Sequence, residues 1–292
     1  MLDSSNLLAN EEITGLPNFF ILFAVAAIGA VIGSFLNVVI HRVPREESIV
    51  FPHSRCPACG TAIRPYDNVP VLSWLILRGR CRACHAPISP RYPAVEALTA
   101  LLFALTYWLR SGFTLALPFD LIFVAAVFSL IFIDAEHMIL PDVITLPGVV
   151  FAFVARALVP NLYGVAFLSE GHLAHWPVWA VSLIGAALGA LFGGGFLWLV
   201  GWLWKRLRGV EAMGFGDVKM MFMVGAFLGW PLTVLTLFFA VLSGSIIGVA
   251  IMLRRGRDMQ MLLPFGIFLG LGTIFAMLFG QPFVEWYAGQ FR

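Results

Sequence analysis

Eight runs of predominantly apolar residues, at about 18–40, 94–111, 117–133, 142–159, 177–204, 217–230, 232–253 and 262–282, occupy most of this chain and leave its backbone few options. A bilayer offers no water to backbone N–H and C=O groups, so a spanning segment must satisfy them internally, as a helix or in a closed barrel. Runs near the roughly 20 residues needed to span as a helix exceed the length of a membrane strand. With 60% hydrophobic and 12% charged residues and a mean hydropathy of +0.92, the composition excludes an ordinary soluble domain. The expected fold is an all-α polytopic membrane protein with about eight transmembrane helices.

Lysines and arginines orient these spans. The loop after the first span holds eight arginines, from Arg42 to Arg91, and Lys205, Arg206, Arg208, Lys219, Arg254, Arg255 and Arg257 fall on the same side. The other side keeps only Arg110, Arg156 and Arg292, so fifteen cations face three. The positive-inside rule then puts the 41–93 loop in the cytoplasm and both termini outside. Residues 1–17 carry Asp3, Glu11 and Glu12 but no Lys or Arg. Lacking the basic start of a cleaved signal peptide, the first span is expected to be retained.

Two acids stand out on this map. Asp134 closes the third span in Ile133-Asp134-Ala135-Glu136-His137-Met138-Ile139-Leu140-Pro141-Asp142, and Asp217 opens the sixth in Gly214-Phe215-Gly216-Asp217. Both fall at the cytoplasmic edge, where an ionisable group is costly and calls for a use. Each is the best partner for the other: paired carboxylates do not both ionise easily, and a shared proton is the working state of an aspartic protease. The glycines flanking Phe215 are expected to let an extended substrate approach. Taken singly, Asp134 could mark a membrane boundary and Asp217 a helix cap.

Neighbouring polar groups read more plainly. Asp142 follows Pro141 and suits a helix start. Glu136 and His137 are expected in a loop, with His137 facing Asp134 if the helix continues. Lys219 is expected to snorkel to lipid phosphate. Glu96, at the membrane re-entry, suits a cationic ligand or a buried arginine equally well. Gly185, Gly189 and Gly193 recur every fourth residue, a pattern for close helix packing.

All four cysteines lie in the cytoplasmic loop, as Cys56-Pro57-Ala58-Cys59 and Cys81-Arg82-Ala83-Cys84. Two C-x-x-C pairs at this spacing form a tetrahedral thiolate site, with zinc the leading occupant and four-thiolate iron the alternative. Disulfides do not suit a cytoplasmic loop. His53 and His85 are expected to be bystanders. The loop should therefore form a small zinc-ribbon-like domain between helices 1 and 2.

These pieces together resemble the bacterial type IV prepilin peptidases. The resemblance runs through Gly33-Ser34-Phe35-Leu36-Asn37-Val38-Val39-Ile40-His41-Arg42, the cysteine pairs, Arg91-Tyr92-Pro93-Ala94-Val95-Glu96, the two aspartate motifs and Leu263-Pro264-Phe265-Gly266. It implies cleavage of the basic leader of type IV prepilins and type II secretion pseudopilins after a glycine, at the cytoplasmic face of the inner membrane. It also implies methylation of the new N-terminus by S-adenosyl-L-methionine, Asp134 and Asp217 as the catalytic pair, and Cys56, Cys59, Cys81 and Cys84 as zinc ligands. The division it suggests is a periplasmic segment 1–17, a helix 18–40, a metal-binding domain 41–93 and a peptidase domain 94–292. Lipid is an expected partner and nucleic acid is not. An ion-coupled transporter and a zinc-ribbon scaffold are the competing readings.

Overall fold

The computed structural model describes residues 15–109, 114–160, 162–163, 175–210, 213–255 and 264–290. Among them are nine α-helices, two 3₁₀ turns and no strand beyond two isolated bridges. The chain divides into two compact units, Met1–Ala125 and Ala126–Arg292.

In the first unit, α1 (Asn18–Arg42) packs against α3 (Arg91–Leu109), with the short α2 (Leu72–Ile76) in the polar segment between them. Helix α1 ends on His41 and Arg42, and the Arg42 guanidinium suits the negative end of the helix. Its contact with α3 runs through a small-residue pair that sequence reading passed over. A Cβ on Gly29 would lie 2.8 Å from Ala100 Cα, and one on Gly33 would lie 2.7 Å from Glu96 Cα. Lipid tails are as apolar as leucine, so such close backbone approach is what makes membrane helices associate.

Five helices lie wholly in the second unit: α5 (Asp142–Leu158), α6 (Val178–Arg208), α7 (Phe215–Leu228), α8 (Trp230–Arg255) and α9 (Phe265–Gly289). Helix α4 (Leu117–His137) precedes them and carries Asp134 on its last turn. All eight expected spans are helices, and six are long and apolar enough to cross a membrane. The exceptions are α5, with 17 residues, and α7, with 14. At about 1.5 Å per residue both fall short of a hydrocarbon core of about 30 Å. Glycines bound α7: Gly214 is its extended N-cap, and Gly229 ends it at a φ of 78°. Ten of its 14 residues are buried, so its apolar character serves protein packing.

Gly189 and Gly193 supply the seat for α7, as the four-residue spacing predicts. A Cβ on Gly189 would sit 2.1 Å from the Gly225 carbonyl oxygen, and one on Gly193 would sit 2.7 Å from that of Met221. The helices touch backbone to backbone. Gly189→Ala should therefore cost about 1–3 kcal/mol, the usual range for overpacking, read as a lower thermal midpoint in detergent. Gly195→Ala, where nothing lies within 4 Å, is the control. An unshifted Gly189→Ala midpoint would refute the contact.

Arg156 departs from its expected place among loop charges. It lies in α5, fully buried, donating to the carbonyls of Tyr163 and Ala226. Ala226 is in the last turn of α7, where carbonyls lack helical partners, so the guanidinium caps that helix. Without Arg156 the charge bias becomes fifteen to two. Residues 1–14 and several counted cations, including Arg110, Arg257 and Arg292, lie outside the described residues.

Candidate active site and candidate metal centre

Asp134 is 5% exposed and Asp217 8%, and the charge on Asp134 reaches Asp217. Each meets the N-terminus of a helix. Asp134 Oδ2 accepts the Ile267 N–H at 3.0 Å and also bonds the Gly266 backbone, both in the first turn of α9. Those N–H groups have no partner within the helix, and its dipole favours an anion there. The approach requires glycine, since a Cβ on Gly266 would lie 2.7 Å from Asp134 Oδ2. This gives Leu263-Pro264-Phe265-Gly266 a physical role that the sequence did not disclose; Leu263 itself is outside the described residues.

Asp217 is the third residue of α7, and its Oδ2 would lie 3.8 Å from a Cβ placed on the N-cap Gly214. That is the position from which an acid can serve an N-cap amide in a capping box. The helix-cap alternative and the pairing are therefore compatible. Positive helix ends offset part of the repulsion between paired carboxylates. A pair sharing one proton can activate a water with its ionised member and donate to a carbonyl oxygen with the other.

Leu140 occupies the ground between the two helix starts. A Cβ on Gly216 would lie 3.0 Å from Leu140 Cβ, and one on Gly266 would lie 3.1 Å from Leu140 Cδ1. Gly216 therefore admits Leu140, a packing role that the sequence reading did not anticipate. Gly214 retains space, with nothing closer than 3.8 Å to a Cβ there.

Two flanking residues also differ from expectation. Lys219 does not reach for lipid phosphate: its Nζ lies 2.6 and 2.7 Å from the two carboxylate oxygens of Asp142. Asp142 does begin α5, but Pro141 is the N-cap and Asp142 the first helical residue. Helix α4 continues through His137, whose Nε2 is buried without a hydrogen-bond partner.

In the first unit, the motifs around Gly33 and Tyr92 lock together. Asn37 Nδ2 donates to the Tyr92 carbonyl at 3.0 Å, and Glu96 bonds the Ser34 side chain. Glu96 Oε2 also accepts the Val71 N–H at 2.7 Å. No arginine is among these partners. Val71 has a φ of 60°, a strained conformation for a β-branched residue. Holding it costs on the order of 1–3 kcal/mol.

The four cysteines converge, their Sγ atoms all within 4.8 Å of one another, and could hold a metal ion. None forms a disulfide. Two matching knuckles present them. Cys56 N donates to the Thr61 carbonyl and Gly60 N to that of Cys56; Cys81 N donates to Ala86 and His85 N to Cys81 in the same pattern. Gly60 and His85 occupy the same left-handed corner, at φ of 71° and 59°. His85 is thus a turn residue, and neither His85 nor His53 joins the sulfur cluster. The Thr61 hydroxyl and amide lower the pKa of the Cys59 thiol to about 6, while a bond to Cys59 and desolvation push the Cys84 thiol up to about 11, so the sulfurs titrate as one group.

Comparison with known proteins follows the same division. Residues 27–110 match the bacterial peptidase A24 N-terminal domain, and residues 121–249 match the type IV leader peptidase family. The prepilin leader peptidase/N-methyltransferase of Pseudomonas aeruginosa is 35% identical over 294 residues, covering 93% of this chain and 94% of that protein. The protein of the same description from Aeromonas hydrophila is 38% identical, with 89% and 91% covered. That from Myxococcus xanthus is 43% identical over 84% of this chain and 68% of its own length. No solved structure matches. The apolar helices make this a multi-pass membrane protein. Because the likeness extends through both units and includes the segments that hold the two aspartates, the chain belongs to the type IV leader peptidase family.

Proposed function

We infer that the protein removes the leader of type IV prepilins and methylates the new amino terminus, with Asp134 and Asp217 as the catalytic pair. The carrying observation is that two buried carboxylates, 83 positions apart, each rest on a helix N-terminus, with Leu140 packed against the glycine beside each. The ionised member takes a proton from water, and the resulting hydroxyl attacks the scissile carbonyl carbon. The protonated member hydrogen-bonds the carbonyl oxygen and stabilises its developing charge. A proton then passes to the departing amine as the carbon–nitrogen bond breaks. The pair titrates as a unit, so the base is assigned to neither residue alone. Transport and scaffolding are not favoured by family membership.

The cysteines are proposed to hold zinc. Four thiolates about 2.3 Å from one ion lie about 3.8 Å apart in a tetrahedron, and Cys56 Sγ and Cys84 Sγ are separated by 3.8 Å. Zinc there would staple a loop too small for a large core. Its site is closed, and no reaction step is assigned to it. We also propose the division into 1–17, 18–40, 41–93 and 94–292, an inner-membrane location, and a cytoplasmic catalytic pair and metal domain. The positive-inside bias supports that orientation. Pseudopilins are proposed as further substrates and lipid as a partner.

S-adenosyl-L-methionine would supply the methyl group. A concavity of about 590 Å³ beside the cysteines is lined by Arg78, Arg80 and Arg82, an unfavourable setting for a sulfonium cation. Glu96 is engaged with Val71 and Ser34. No contact is therefore assigned. Intact mass spectrometry of a prepilin treated with the purified protein tests the function. Leader loss, with one methyl gained only when S-adenosylmethionine is present, is expected; an intact prepilin after incubation with folded protein would overturn it.

A further inference from the structure

The segment Asp134–Asp142 meets the segment Gly214–Lys219 at three points. The two aspartates interact, Leu140 fills the space beside Gly216, and Asp142 binds Lys219. The third contact belongs to no step of the chemistry, yet it joins the two chain segments that carry the reacting groups. We propose that Lys219, gripped by Asp142, is a positioning residue: the ion pair fixes the first turn of α7, and with it Asp217, relative to Asp134. This rests on the reading of the two aspartates as the catalytic pair.

Several observations support it. The grip is two-pronged, with Nζ at 2.6 and 2.7 Å from the carboxylate oxygens. The same Nζ lies 5.0 Å from the centre of the Phe215 ring, so it touches the residue two positions before Asp217 as well as anchoring the residue two positions after. On the opposite side, the chain between Asp134 and Asp142 has little slack. Met138 sits in a left-handed turn, Leu140 is buried, and Pro141 caps α5. A shift of Asp142 therefore has few ways to relax before reaching Asp134.

Position along α7 makes such a tether useful. The backbone seam with α6 holds the helix at Met221 and Gly225, beyond the turn that carries Asp217. Two carboxylates at close range repel whenever both ionise. An ion pair two residues from one of them resists that separation. The pair itself is partly exposed, at 22% for Lys219 and 56% for Asp142, and exposed pairs contribute little to stability. Misplacement of a reacting group by about 1 Å, in contrast, can cost roughly 100-fold in rate. A tether should therefore show itself in catalysis while leaving unfolding nearly unchanged.

The test compares prepilin cleavage by wild type, Asp134→Asn, Asp142→Asn, Lys219→Met, Lys219→Arg and the exchange Asp142→Lys/Lys219→Asp, with thermal unfolding of each. Asp142→Asn and Lys219→Met should lose roughly 10- to 100-fold in kcat with little change in KM. The exchange, which restores the attraction in reverse, should recover most of the loss. An exchange as slow as Lys219→Met with normal unfolding would overturn the proposal, as would a Lys219→Met effect confined to KM, which would mean contact with substrate. Should Lys219→Met fold poorly, Lys219→Arg decides: near-normal kcat supports the tether, and a folded but slow Lys219→Arg overturns it. Wild type that leaves the prepilin intact sinks the proposed function and this inference with it; a wild type that cleaves, beside an inert Asp134→Asn, isolates the inference.

Discussion

Asp134→Asn and Asp217→Asn should each stop leader removal while leaving a folded protein. Asparagine keeps the shape and an oxygen that can accept the Ile267 N–H, so the link between Asp134 and α9 survives. What disappears is the exchangeable proton. General acid–base catalysis contributes roughly 100- to 10,000-fold, and loss of that order is expected from either change. Because the carboxylates act as a unit, the double variant should be scarcely slower than the worse single one, as for other coupled catalytic groups. Quantitative cleavage under single-turnover conditions provides the measurement. A folded single variant retaining more than about a tenth of the wild-type rate would remove that residue from the catalytic pair.

Loss of one cysteine should have the next largest effect, on structure rather than on chemistry. Apparent binding energies for structural zinc in finger peptides reach about 10–16 kcal/mol at neutral pH. Much of the order in the 41–93 segment should depend on such a staple, because large apolar groups there, including Val50, Phe51, Leu72, Leu75 and Ile76, are exposed. Cys81→Ser in the full chain should bind less than one equivalent of zinc and become open to limited proteolysis between Arg45 and Arg91. Elemental analysis and peptide mapping report the two effects separately. Undiminished zinc in a folded Cys81→Ser protein would dismiss the four-sulfur site.

The sequence disclosed features whose cause is local. Apolar runs give helices because backbone groups in lipid have no other partner, and two C-x-x-C turns bring sulfurs together almost irrespective of their surroundings. It could not disclose what an apolar residue packs against. Met220, Met221 and Phe227 would suit lipid equally well, yet all are fully buried, and α7 is consequently shorter than a span. Lys219 gave a similar ambiguity: beside a membrane edge a lysine reads as a snorkelling group, and its partner lies 77 positions away. Arg156 looked like a topological marker because its use as a cap arises only when α5 and α7 pack. The aspartates were legible through motif and spacing, whereas the α9 amides and Leu140 that support them come from distant or unremarkable residues.

The meeting of Gly189 with Gly225 also limits how this family member can diversify. An ordinary helix interface contains side chains that can grow or shrink by a methyl group, allowing a lineage to nudge one helix gradually. Where Gly189 meets Gly225 there is no such adjustable spacer, and even alanine is too large. Substitutions along α7 are therefore accommodated more easily around its exposed start, at Phe215, than at its glycine seam in the middle.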